Sequence, residues 1–106
     1  MKKPSSQASA HVPLPREALA EFSRRHHIRR LAVFGSALRD DFRPDSDLDI
    51  LVEFEPDTRV GLRFFALQRE LTELIGREVD LNTPGFLSPY FRDEVLAEAE
   101  DLYVAP

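Results

Sequence analysis

Cysteine is absent from the 106-residue chain, so neither a disulfide framework nor a thiolate metal site is available to it. No apolar run approaches the ~20 residues of a membrane-spanning helix. Met1-Lys2-Lys3 is basic, but no apolar stretch follows, so the start does not read as a secretory signal. These absences lead us to expect a cytoplasmic protein with no membrane partner. An excess of cations is missing too: 14 Lys and Arg stand against 19 Asp and Glu, a formal net charge of −5. That balance argues against direct nucleic-acid binding driven by counterion release. It still allows a nucleotide, because bound metal offsets negative charge locally. Histidine is scarce. His11, His26 and His27 are the only three, and the adjacent pair on a helix would point ~100° apart, a poor metal site.

What is present is the composition of an ordinary globular domain, 42% hydrophobic and 31% charged. The length suits one domain with a modest core. Residues 1–13 are polar, with two prolines and three serines, and read as a flexible lead-in to a domain over 14–106. The spacing predicts a first helix over 14–27, opening near Pro15 with Ala18, Leu19 and Phe22 on one face. The basic run Arg24–Arg30 is most simply the solvated end of that helix. A buried strand over 29–35 ends at Gly35, and a polar loop follows over 36–46. Residues 47–54 give the clearest strand: Leu48, Ile50 and Val52 alternate with Asp47, Asp49, Leu51 and Glu53. An amphipathic helix over 61–75 carries Phe64, Leu67, Leu71, Leu74 and Ile75 and stops at Gly76. A third strand follows over 77–82. A last helix is expected from Ser88-Pro89, with Phe91, Val95, Ala99 and Leu102 as its apolar face. Tyr90 and Phe91 near its start are candidates for a partner-facing patch. The order is that of a small α/β or α+β domain, with one sheet edge left for a partner or the C-terminus to cover.

Chemistry concentrates at two strand ends. Phe34-Gly35-Ser36 closes the first strand, where glycine permits a sharp turn and lets a phosphate approach main-chain N–H groups. Taken alone, such a pair is usually only a turn. Asp47-Leu48-Asp49 begins eleven residues after Ser36. On a strand, i and i+2 point the same way, so two carboxylates stand side by side. Their repulsion is relieved by a divalent cation, and an all-oxygen donor set suits Mg²⁺. Asp80, between Val79 and Leu81, is a third carboxylate; if its strand lies beside that of Asp49, the three cluster. Read singly, Asp80 is a residue of a solvated strand face. A calcium loop starting at Asp45 fails, because its sixth and twelfth positions are Ile50 and Pro56 rather than glycine and glutamate.

Gly35-Ser36, a loop, Ser46-Asp47-Leu48-Asp49-Ile50-Leu51-Val52 and then Val79-Asp80-Leu81 together resemble the nucleotidyltransferase superfamily, over roughly residues 14–104. The chain is most similar to the short stand-alone MNT proteins, antitoxins found beside HEPN-type toxins. The resemblance implies a small mixed β-sheet with helices packed on it. It implies ATP as substrate and two magnesium ions held by Asp47 and Asp49, with Asp80 completing a metal site and activating the acceptor hydroxyl. Gly35 and Ser36 would cradle the β- and γ-phosphates, with Arg39 placed to touch phosphate. One position departs: relatives often have glycine after that arginine, where this chain has Asp40.

Larger members of the superfamily add a helical domain that grips the acceptor. This chain has room for one helix after Asp80, so the acceptor is expected on another protein, a HEPN ribonuclease toxin, with AMP transferred to a hydroxyl such as a tyrosine's. Two other readings stay open on sequence: an antitoxin that works by contact without catalysis, and a nucleotidyltransferase acting on a small hydroxylated molecule.

Overall fold

Helix α1 (Arg16–Arg25) begins after Pro15 and places Leu19 and Phe22, one turn apart, in full burial. Its first turn carries Glu17 and its last Arg24 and Arg25, each sign matched to the helix dipole. Ser23 is also buried, and its hydroxyl donates to the Leu19 carbonyl at 2.8 Å. His26 caps the helix and His27 takes a left-handed φ of 58°, which turns the chain into the first strand. The computed structural model describes residues 14–35 and 47–106. Ser36, Arg39, Asp40 and the 1–13 lead-in therefore lie outside the described residues.

Strand β1 (Ile28–Phe34) runs antiparallel to β2 (Leu48–Phe54), with Leu31 opposite Val52, Val33 opposite Ile50 and Phe34 opposite Asp49. After β2, helix α2 (Arg63–Ile75) crosses over and ends at Gly76, whose φ of 80° is the left-handed conformation glycine adopts freely. The crossover returns the chain as β3 (Val79–Asn82), parallel to β2, with Asp49 opposite Asp80. Side chains of α2 blunt this edge strand: Thr72 Oγ1 and Gln68 Oε1 accept from the Val79 and Leu81 amides at 3.1 and 2.9 Å.

The alternation read from 47–54 is realised. Leu48, Ile50 and Val52 join Leu19, Phe22, Leu31, Val33, Leu67, Leu71, Val79, Leu81 and Leu102 in one core beneath α1 and α2. The opposite face of the sheet carries Arg30, Phe34, Asp49, Glu53 and Asp80, and the candidate site belongs to it.

The C-terminus corrects the expectation of one long last helix. After a single 3-10 turn (Pro84–Phe86), α3 spans only Arg92–Glu98; Ala99 turns extended, and β4 (Glu100–Val104) pairs antiparallel with β1. The sheet order is β3-β2-β1-β4, so the C-terminus covers the open edge. Ser88 does not cap α3. Its Oγ accepts from the Tyr90 amide at 3.3 Å in the preceding turn, and Phe91 is the N-cap residue. Leu102, at helical spacing from Phe91 and Val95, instead enters the core from a strand. The free edge of β1 supplied backbone partners that local spacing does not reveal. Among the described residues, no helix is long and apolar enough to cross a membrane.

Candidate active site

Three strands bring the candidate residues to one end of the sheet. β1 arrives there and turns at Gly35; β2 and β3 start there. Asp49 is half-buried, flanked by Phe34 on β1 and by Asp80 on β3. Paired residues on neighbouring strands share a face about 4.8 Å apart, so Asp49 and Asp80 stand side by side. Asp47 immediately precedes β2 and is exposed, as is Asp80. The Leu48 amide donates to the Glu78 carbonyl at 2.9 Å, which fastens the start of β2 to the approach of β3. The condition set on sequence, that the Asp80 strand lie beside the Asp49 strand, is met.

Gly35 has a second reason to be glycine. Its φ is 75°, and a Cβ built on it would overlap Oδ2 of Asp49 and sit 3.2 Å from the carboxylate carbon. The turn is thus shaped around the Asp49 carboxylate as well as being open to a ligand. The donor set is all oxygen, which fits a hard divalent cation. Among the described residues, no three acidic or histidine side chains already converge closely enough to hold one; what the fold supplies is the shared end and shared face.

Two features of this face were not read from the sequence. Arg30 donates from Nε to Asp101 Oδ1 at 2.6 Å, from Nη1 to Glu53 Oε2 at 3.4 Å, and from Nη2 to the Leu96 carbonyl at 3.5 Å. It thereby joins β1, β2, β4 and α3. A cleft of about 300 Å³ also opens between the end of β1 and α3, lined by Phe34, Gly35, Phe91, Glu94, Val95 and Glu98. The i, i+3, i+4, i+7 spacing of Phe91, Glu94, Val95 and Glu98 is visible in the sequence, which places Phe91 and Val95 on the apolar face of the last helix, with Phe91 also a candidate for a partner-facing patch, but does not reveal a cleft.

His26 and His27 lie at the turn between α1 and β1, and His11 lies outside the described residues. His26 stacks on Phe22 with ring centroids 4.8 Å apart and lies 3.4 Å from Glu70. Burial pushes its pKa below 6.5, Arg25 and Arg63 push the same way, and Glu70 opposes them. Much of the basic run is paired within the chain: Arg25 with Glu70 at 3.1 Å, Arg29 with Glu53 at 2.7 Å, and Arg30 as above.

The model of one family, the nucleotidyltransferase domain, matches residues 15–102. The chain belongs to the nucleotidyltransferase domain family. It is 38% identical over 78 residues to the protein adenylyltransferase MntA of Thermococcus cleftensis, covering 74% of this chain and 78% of that one. A solved structure assigned to a minimal nucleotidyltransferase matches with a TM-score of 0.67 and 42% identity, over 79% of this chain and 85% of the other. A complex of an MNT antitoxin with a tri-AMPylated Shewanella oneidensis HEPN toxin matches with a TM-score of 0.62 and 20% identity, over 94% of this chain and 73% of that one. At that identity the likeness speaks for the fold alone. This nucleotidyltransferase therefore has the mixed α/β architecture of the minimal members, and Gly35, Asp47, Asp49 and Asp80 stand at one end of its sheet.

Proposed function

We propose that this nucleotidyltransferase transfers AMP from ATP to a hydroxyl, a tyrosine's, on a partner HEPN ribonuclease toxin and so serves as its antitoxin. The observation that carries this reading is the in-register placement of Asp49 and Asp80 beside the Gly35 turn. It is supported by the resemblance to a chain named as a protein adenylyltransferase and by the shared fold with an antitoxin seen on an AMPylated toxin.

In this reading Asp47 and Asp49 would hold two magnesium ions, and Asp80 would complete one of the sites. When bound, magnesium neutralises the triphosphate and lowers the barrier to displacement at phosphorus. Gly35, Ser36 and Arg39 position the β- and γ-phosphates. Asp80 takes the proton from the acceptor hydroxyl, whose oxygen forms a bond to the α-phosphorus as the bond to pyrophosphate breaks. The added AMP places charge and bulk on the toxin and blocks its RNA. Co-expression with a HEPN toxin tests this: mass spectrometry should find AMP on the toxin, and an unmodified toxin that is still neutralised would overturn the catalytic reading.

A further inference from the structure

Glu94, Val95 and Glu98 of α3, together with its N-cap residue Phe91, line one side of the cleft opposite Phe34 and Gly35. Glu94 and Glu98 are exposed, and neither has an ion-pair or hydrogen-bond partner among the described residues. Elsewhere the chain spends its arginines on acids: Glu53, Glu70 and Asp101 are each paired. Like charges at i and i+4 repel one another, and here no cation of the described chain relieves them. Phe91, 54% exposed, adds an aromatic surface to the same cleft, and Tyr90, 94% exposed, stands next to it in sequence.

The α3 wall of the cleft does not suit a nucleotide, since phosphates there would approach two uncompensated carboxylates; the phosphates assigned to Gly35 concern the opposite wall. A guanidinium or ammonium group fits, because it can pair with Glu94 and Glu98 while resting on the Phe91 ring. The position matters as well. The strand order places the cleft on the β1 side of Asp49 and Asp80 on the β3 side. Two strand spacings, about 10 Å, separate them, a span that about three residues of extended chain cover.

Resting on the transfer reading above, we propose that this cleft docks a basic side chain of the acceptor protein, an arginine or lysine near the modified hydroxyl. The test is steady-state AMP transfer to the purified HEPN toxin by the wild-type chain and by Glu94→Gln/Glu98→Gln, with calorimetry of MgATP on both. Loss of two exposed charge pairs should raise KM for the toxin about tenfold and leave MgATP affinity within about twofold. In wild type, KM should rise as salt screens the pair, and in the variant this dependence should flatten. A toxin KM within about twofold of wild type, with unchanged salt dependence, overturns the docking pocket while leaving the transfer intact. A loss that falls on MgATP affinity instead overturns it in favour of a nucleotide subsite. A wild-type chain that binds MgATP yet modifies no toxin overturns the transfer reading itself, and the acceptor with it. Because α3 buries no residue, the variant should fold; if it does not, the two single substitutions carry the same measurements.

Discussion

The space a Cβ would need at Gly35 is taken by the Asp49 carboxylate. Phe34 and Asp49 face each other in the β1–β2 ladder, and the chain turns immediately after Phe34. The turn and the acid are therefore one construction: the left-handed backbone of Gly35 makes the bend, and its missing side chain makes the room. A glycine chosen only for its φ would not need the second property.

Gly35→Ala should consequently cost more than backbone strain. Forcing alanine to a φ of 75° costs on the order of 1–3 kcal/mol, and the new methyl displaces Asp49. We expect a lower denaturation midpoint together with loss of MgATP binding by calorimetry. A variant that loses stability yet binds MgATP like wild type would show that Asp49 can move without consequence.

Asp80→Asn should separate chemistry from binding. Asp80 is exposed on β3, whereas Asp49 lies on β2 and Asp47 immediately precedes it. On the proposed transfer reading Asp80 is the general base, whose removal typically lowers a rate by about 10²–10⁴-fold, while MgATP affinity should stay within roughly tenfold, ~1.4 kcal/mol. Rescue of growth at low antitoxin dose is the readout. Full protection by Asp80→Asn with no modified toxin would mean that neutralisation works by contact.

Asp47→Asn/Asp49→Asn should abolish transfer and leave the fold, because both side chains lie off the core face. Circular dichroism and single-turnover transfer check the two halves. Transfer at the wild-type rate would remove both residues from the site.

The local pattern carried much of this. Period-two alternation over Leu48–Val52 gave the core face correctly, since one side of a sheet packed under helices must be apolar. Gly35 and Gly76 marked the ends of β1 and α2 because the left-handed backbone there favours glycine. Asp49 and Asp80 were recognised as candidates, but their adjacency depended on which strands pair, a non-local fact. The same limit hid β4. Phe91, Val95, Ala99 and Leu102 are spaced like a helix, and only the unpaired edge of β1 draws the last of them into a strand. Arg30 was unreadable for a related reason: its partners Glu53, Leu96 and Asp101 are distant in sequence. The steric tie between Gly35 and Asp49 was equally invisible, as it needs the β1–β2 register.

Arg30→Ala should loosen α3 without melting the sheet. That helix buries no residue, and Arg30 reaches its Leu96 carbonyl while gripping Glu53 and Asp101. Amide exchange in α3 should quicken roughly tenfold, with the central amides of β1 and β2 little changed. Arg30→Lys should restore the effect only in part, because an ammonium cannot reproduce the planar fork. Uniform acceleration across the sheet would instead make Arg30 a general stabiliser.

His26 should give the fold an acid-side weakness. Its pKa lies below the ordinary 6.5, mainly through burial. Between that lowered value and 6.5, the unfolded chain holds more protons than the folded one, so stability rises with pH across the window. Its contribution is unimpaired above 6.5, falls as pH drops below it, and levels off once the folded imidazole is also charged. Melting temperatures measured from about pH 7.5 to 5.5 should therefore decline less in His26→Gln than in wild type. Glu70→Gln is the companion variant. Glu70 raises the His26 pKa against the burial effect, so its neutralisation lowers the folded value further and should make the wild-type decline steeper. Equal slopes in all three proteins would mean that the acid response comes from other groups; a shallower slope in Glu70→Gln would reverse the sign assigned to that ion pair.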